Sequence, residues 1–268
     1  MMLLATETGV YDLGGSLKCC RELDVNDLYF GERAYICAWQ GLYVEVGGRL
    51  ERLAERQCWR LFKWGGEVLA ALEGPIVYNA DRGRVAADYR GYAKELGWHF
   101  FYGEPHITDF AVYKGEVVAT VEVGHLLSGP SPQELRPTGF EEDLHNLLPL
   151  GDRLLIAAAG GVYYTDDLAQ FKRAAGGYCH ALSAAGGSVA AHLKSKRPII
   201  VSRDRGESWQ NLGLELPPPD YGTTGLLCEG GRCIYSTTYT YAVNVERASA
   251  ERLLGPHPTT RRVVLAKE

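Results

Sequence analysis

Glu141, Glu142, Asp143 and His145 place three carboxylates and an imidazole within one short stretch. Such a set can hold a cation through oxygen and nitrogen donors, or work as an acid and base. A charge run of this kind also reads as a solvated loop. His106 and Asp109 lead into an apolar run, but their spacing on an extended chain turns them to opposite faces, which breaks a dyad. The remaining histidines stand singly and read as hydrogen-bonded structural residues. Asp81 and Asp204 each sit in an Asp-Arg-Gly turn, and a carboxylate that recurs in equivalent turns serves the turn rather than a reaction. The chain carries no Cys-x-x-Cys, no paired-histidine spacing and no glycine-rich phosphate loop, so no metal or cofactor is expected.

The densest aromatic stretch runs from Tyr89 to Tyr102 and includes Tyr92, Trp98, Phe100, Phe101 and Tyr102. Three consecutive aromatics on a strand put at least one ring on each face. An exposed part of this stretch would suit a protein partner or the face of a sugar. Packed down, the same rings would cover the flank of the domain.

Charge narrows the partners. With a net charge of -5 over 268 residues, there is no basic field for a nucleic-acid backbone, and none is expected to bind. No apolar run reaches the roughly 18 residues that span a bilayer, and the first residues lack a basic region followed by a long apolar segment. A soluble, cytoplasmic protein without a membrane partner is the expectation. Both methionines lie at the start, and arginine outnumbers lysine, a bias that fits a thermophile. In such organisms intracellular disulfides occur. Cys228 and Cys233 bracket Glu-Gly-Gly-Arg at a hairpin turn, where they either bond across it or remain two small buried thiols. The adjacent Cys19 and Cys20 would point to opposite faces of a strand.

These residues need a frame, and the sequence supplies one by repetition. Apolar run, glycine turn, apolar run occurs six times: Leu28 to Cys37, Leu61 to Ala70, Phe110 to Ala119, Leu147 to Ile156, Ala181 to Ala191 and Leu226 to Tyr235. A third strand follows each hairpin, opening in the clearest cases with Gly41-Leu42-Tyr43, Gly74-Pro75-Ile76 or Gly161-Val162-Tyr163, and then a more polar fourth. Four strands in roughly 35 to 50 residues is the period of a propeller blade. Met2 to Thr6 and Gly9 to Tyr11 read as the second and third strands of a blade that lacks a first, and Arg262 to Ala266 is a strand without a blade; together they make a seventh. Burying Val263, Val264 and Leu265 would return about 1.5 to 3 kcal/mol each. Ring closure would cost about 5 kcal/mol in loop entropy. The expected architecture is all-β, one seven-bladed β-propeller domain, with blades near 1–23 plus 260–268, 24–54, 57–90, 106–138, 144–174, 178–214 and 223–254. Two stretches break the period, 88–102 and the region from Gly129-Pro130-Ser131-Pro132 to His145. Long connections of this kind often carry function.

Within the sixth hairpin's neighbour, Pro198 to Trp209 runs from a branched apolar strand into Ser202-Arg203-Asp204-Arg205-Gly206-Glu207-Ser208-Trp209. Short oxygen acceptors, a glycine and a terminal indole make a self-contained turn clamp. This pattern resembles the Asp-box, or BNR repeat, of sialidase-like propellers and photosystem II assembly propellers. Pro75 to Gly83 is a partial copy with Asp81 and Gly83, and Gly161 to Phe171 another, with Asp166 aligned to Asp204 and Phe171 to Trp209. The resemblance implies a propeller whose boxes lie in the turns between the last two strands of a blade, away from any catalytic face. A sialidase-type site would need an arginine cluster, a tyrosine assisted by glutamate, and an acid at the axis. No Arg-Ile-Pro segment stands near the start. The expected function is a non-enzymatic protein-interaction or assembly scaffold, with no catalytic residue assigned. The competing expectation is a sialidase-like glycoside hydrolase or glycan-binding module.

Overall fold

The computed structural model describes residues 1–266. It contains seven antiparallel sheets of four strands each. The first holds β1 (Met2–Thr6), β2 (Gly9–Asp12) and β3 (Leu17–Cys19). The second holds β4 (Val25–Phe30), β5 (Ala34–Ala38), β6 (Gly41–Val46) and β7 (Arg49–Ala54). The third holds β8 (Cys58–Trp64), β9 (Glu67–Leu72), β10 (Ile76–Asn79) and β11 (Arg84–Asp88), after which comes the helix α1 (Arg90–Leu96). The fourth holds β12 (Ile107–Tyr113), β13 (Glu116–Val121), β14 (Gly124–Gly129) and β15 (Arg136–Glu142). The fifth holds β16 (Leu144–Leu150), β17 (Arg153–Ala158), β18 (Gly161–Thr165) and β19 (Lys172–Gly176). The sixth holds β20 (Cys179–Ala185), β21 (Ser188–Leu193), β22 (Ile199–Ser202) and β23 (Gln210–Asn211). The seventh holds β24 (Leu226–Glu229), β25 (Arg232–Ser236), β26 (Thr240–Asn244) and β27 (Ser249–Leu254), and β28 (Thr260–Leu265) returns to pair with β1.

The innermost strands touch in sequence, β4 to β8 to β12 to β16 to β20 to β24 to β28, and β28 touches β4. The sheets therefore stand in a closed ring, the seven-bladed β-propeller that the repeat predicts. Closure removes two open edges that would otherwise template aggregation. The energetics of the last strand need one correction: Val263 is buried, but Leu265 is 40% exposed and contributes little.

Burial follows the strand order. The second strands are nearly wholly apolar and covered on both faces, as in Ala34–Ala38, Glu67–Leu72 and Arg153–Ala158, because a neighbouring blade packs on each side. Fourth strands such as Arg49–Ala54 and Ser249–Leu254 face solvent. The small residues that open the third strands have a physical reason. Gly41 and Gly161 have φ of +139° and +141°, and a Cβ there would lie 2.3 Å from the Ala54 carbonyl oxygen and 1.9 Å from that of Ala175. The fourth strand crosses too close for any side chain.

Both irregular stretches differ from loops. Residues 90–96 form α1, ended by Gly97 at φ +71°, and Tyr92 and Ala93 pack against the core between the third and fourth blades. Glu141 and Glu142 belong to β15, and His145 is in β16. That acidic run is the crossing from one blade's outer strand to the next blade's inner strand, not a solvated loop.

Candidate functional site

The site is built on an irregularity repeated around the ring. Near its start, each of six inner strands carries an extra residue that has no cross-strand partner: Asn26, Trp59, Thr108, His145, His180 and Arg261. Each is a bulge that turns one side chain out of the ladder. Thr224 holds the corresponding place in the seventh blade, where its N–H donates to the Arg261 carbonyl at 2.7 Å. These seven side chains together line the axial shaft.

The residues flanking each bulge hold it in place. Those before it, Val25, Cys58, Ile107, Leu144, Cys179, Thr223 and Thr260, are buried in the blades. Five of those after it, Asp27, Arg60, Asp109, Asn146 and Arg262, weld neighbouring blades. The Asp27 carboxylate accepts from the Leu61 N–H at 3.0 Å, that of Asp109 from the Leu147 N–H at 2.9 Å, and the Asn146 amide oxygen from the Leu182 N–H at 2.8 Å. Arg60 stands between the two carboxylates, 3.2 Å from Asp109 and 3.9 Å from Asp27, and Arg262 meets Asp27 at 3.2 Å. Burial pushes the Asp27 and Asp109 carboxyls upward against the pull of Arg60. The bulge residues also reach across: Asn26 donates to the Cys58 carbonyl at 2.7 Å and Thr108 to that of Leu144 at 2.8 Å.

Four histidines gather at this end of the axis. His145 Nδ1 donates to the Cys179 carbonyl at 2.7 Å, and its Nε2 faces Asp143 Oδ1 at 3.1 Å, with the Tyr178 hydroxyl 3.2 Å away. Tyr178 in turn donates to Asp143 Oδ2 at 2.9 Å. Burial works against an imidazolium here, yet the Asp143 hydrogen bond and charge prevail and raise the His145 pKa. His180 and His192 are neutral, the former held well below 6.5 and the latter at about 3, chiefly by burial. Among the described residues neither ring nitrogen of His180 has a hydrogen-bond partner, although the residue is only 1% exposed. His106 stacks on Trp59 with ring centroids 3.6 Å apart, and its Nε2 lies 3.0 Å from Glu122 Oε2 but out of line for a hydrogen bond.

Above the shaft the walls open into a cup of about 530 Å³ lined by Trp39, Trp59, Phe100, Phe101, Tyr102, Tyr178 and Tyr221, with Asn26, Glu122, Asp143 and Arg261 among its polar residues. Trp39 and Phe100 each meet Trp59 edge to face, at 5.5 Å and 5.8 Å. Tyr178 and Tyr221 close the far wall at 5.3 Å, and the Lys194 ammonium sits over Tyr221 at 3.4 Å. Arg261 is clamped by both oxygens of Asp24 at 2.9 Å. A larger groove of about 880 Å³ runs between α1 and the β14–β15 edge, but it is an open, polar flank with no unpartnered buried group among the described residues.

The expected aromatic stretch divides between core and mouth. Phe101 and Tyr102 are 78% and 82% exposed at the cup's rim, and Phe100 is half-buried in its wall. Trp98 is buried, its indole donating to His125 Nδ1 at 2.9 Å, so the expectation of a contact residue is corrected: it packs in the core. Tyr92 packs against the same core from α1 and stacks on Tyr89, away from the mouth. The reason is local: the stretch turns as a helix and loop, so strand alternation does not govern its side chains. His106, His180, Trp59 and Tyr221 were not separable from structural residues by sequence, because each belongs to a different blade.

The Asp-box turns lie at the opposite end, where third strands finish. Ser202 Oγ accepts from the Gly206 N–H at 2.7 Å, Asp204 Oδ1 accepts from the Ser208 N–H at 2.9 Å, and the Trp209 indole donates to the Gly206 carbonyl at 3.1 Å. Hydrogen bonds from Ser208 hold the Asp204 carboxyl down at about 2. The partial copies depart from this. Asp81 reaches back to the Val68 N–H and the Tyr35 hydroxyl, and Asn79 caps the turn beside Gly83, whose φ is +64°. In the other copy Asp167, not Asp166, accepts the turn amides of Ala169 and Gln170, while Asp166 pairs with Arg153. Leu168 takes φ +60° where glycine is absent, and Phe171 stacks on Phe140 at 4.3 Å.

Cys228 and Cys233 are bonded across their hairpin, Cys37 is bonded to Cys58 of the next blade, and the adjacent Cys19 and Cys20 are bonded to each other, which corrects the expectation of opposite faces. Cys179 is a free, buried thiol pushed up to about 12 by burial. Among the described residues no group of three or more His, Cys, Asp or Glu could hold a metal ion, and no helix is long and apolar enough to cross a membrane.

No family model matches the chain, and no curated protein does. Solved structures match in number. The computationally designed Ika8 protein is 16% identical with a TM-score of 0.64, over 99% of this chain and 87% of its own. BamB from Moraxella catarrhalis is 14% identical with a TM-score of 0.60, over 98% of this chain and 85% of its own. The likeness is one of fold. PorZ, a surface component of the type-IX secretion system of Porphyromonas gingivalis, is 10% identical with a TM-score of 0.58; the match takes in 87% of this chain but 33% of PorZ.

Proposed function

We propose that the chain is a non-enzymatic binding scaffold that takes a segment of another protein into the aromatic cup at the mouth of its axis. One observation carries this reading: exposed rings from three connections, Trp39, Phe101 with Tyr102, and Tyr221, converge around a cavity of about 530 Å³ that leads to buried imidazole nitrogens unpartnered among the described residues. A rigid ring presenting aromatics from its loops loses little conformational freedom on binding. Its fold neighbour PorZ is a surface component of a secretion system, which is consistent with such a role.

The rings would equally suit a sugar face. Hydrolysis has less in its favour. Arg60, Arg261 and Arg262 are each committed to an aspartate, which leaves no arginine trio free for a substrate carboxylate. The Tyr178 hydroxyl donates to Asp143, and burial with that neighbouring charge raises its pKa, the reverse of what a nucleophile needs. The test is affinity capture with the wild-type chain and a Phe101→Ala/Tyr221→Ala variant. Loss of the captured protein with unchanged melting temperature supports the mouth; retained capture overturns it.

A further inference from the structure

Resting on that reading, we infer that the cup recognises a lysine side chain of the partner polypeptide, its ammonium lodging against Glu122 above the axial shaft.

Three observations converge. First, Glu122 lines both the cup and the shaft with its side chain 16% exposed, and among the described residues its one polar neighbour is His106 Nε2, 3.0 Å from Oε2. His106 Nε2, its near neighbour, is out of line. Asp143, by contrast, is already satisfied by His145 and Tyr178. A half-hidden carboxylate with open lone pairs calls for a donor, and a charged donor most of all.

Second, the surroundings suit a cation. Trp59, Phe100 and Tyr178 bring ring faces and edges to the approach, and aromatic walls beside an acid attract an ammonium. The same preference is satisfied once at the rim, where Lys194 sits over Tyr221. Glu7 and Asp24 add negative charge, although Arg261 is bound between them.

Third, size selects the head group. The shaft that Glu122 lines holds about 40 Å³, room for a compact ammonium or a water, and among its other lining residues is His180, buried with both nitrogens unpartnered among the described residues. A planar guanidinium wants a bidentate acceptor in its own plane, whereas an ammonium needs one carboxylate and any acceptor nearby. Neutral His180 supplies an acceptor nitrogen to a donor that reaches it.

The experiment uses the whole chain and two peptides, acetyl-Gly-Lys-Gly-amide and its norleucine counterpart, followed by indole NMR shifts of Trp39 and Trp59. The lysine peptide is expected to bind roughly tenfold more tightly than the norleucine one. Glu122→Gln should abolish that difference, and Trp39→Ala, a rim substitution outside the core, should weaken the lysine peptide alone. Equal binding of both peptides, a preference that survives Glu122→Gln, or indole shifts with a neutral oligosaccharide but neither peptide would overturn the lysine assignment. If these fail while protein capture still depends on Phe101 and Tyr221, the mouth remains the docking site with another ligand chemistry. If capture is independent of both residues, the docking site itself falls.

Discussion

At the scale of single residues, the histidines at the axis behave oppositely, and pH separates them. His180 and His192 are neutral when folded, whereas the unfolded chain protonates them near 6.5, so folding loses stability as pH falls from about 6.5 toward 3. Each imidazole contributes a slope of about 1.4 kcal/mol per pH unit within that window. His145 has the reverse sign: its raised pKa adds stability below 6.5 that fades as pH climbs through the folded value. Denaturant midpoints measured from pH 7 to 4 should fall, and His192→Leu should flatten part of that fall. Asp143→Asn should lower the His145 pKa, seen directly in its imidazole NMR titration. Of these only the Asp143–His145 pair was readable in the chain, as part of the acidic run. His106 and His180 look solitary because Trp59 and His145, which pack against them, lie a blade away in sequence.

The elements explain why the frame was legible and the site was not. Glycines that open third strands mark themselves by position, and the structure supplies the cause at Gly161, where a Cβ would strike the Ala175 carbonyl. Gly161→Ala should cost at least about 1 to 3 kcal/mol from backbone strain alone. Gly139→Ala, with nothing within 4 Å, should be within about 1 kcal/mol of neutral. Thermal melts of the two variants compare a required glycine with a free one, and equal melting temperatures would remove the close-crossing explanation. Bulges leave no such mark. Asn26, Trp59, Thr108, His145, His180 and Arg261 share no chemistry, and a period-two reading of the inner strands passes over an inserted residue. The stretch from Tyr89 to Tyr102 misled for a related reason: strand alternation was applied where the chain makes a helix and a turn.

For the whole molecule, closure is the shared constraint. The ring shuts through β28, which pairs with β1 and also brings Arg261 to Asp24 and Arg262 to Asp27. Ending the chain at Thr259 should lower the melting temperature sharply and produce high-mass species in size-exclusion chromatography; an unaltered melt would deny that closure matters. The Cys37–Cys58 bond joins the second blade to the third, and chain-entropy arguments give such a loop about 3 kcal/mol. Reduction should therefore lower stability by a similar amount, read from denaturant midpoints with and without reductant. The ring was visible in the sequence because it arises from many weak repeats that agree, and the apolar hairpins and their glycine turns carry that agreement.

In the inner strands, the residue before each bulge is buried and most of the residues after it join blades, while the middle one turns its side chain to the axis, where several also bond to the next blade. Seven such places, one per blade, face a common point like the pins of a lock. A change at Trp59 or His180, whose side chains make no hydrogen bond among the described residues, alters what the keyhole admits and leaves the barrel that carries it standing.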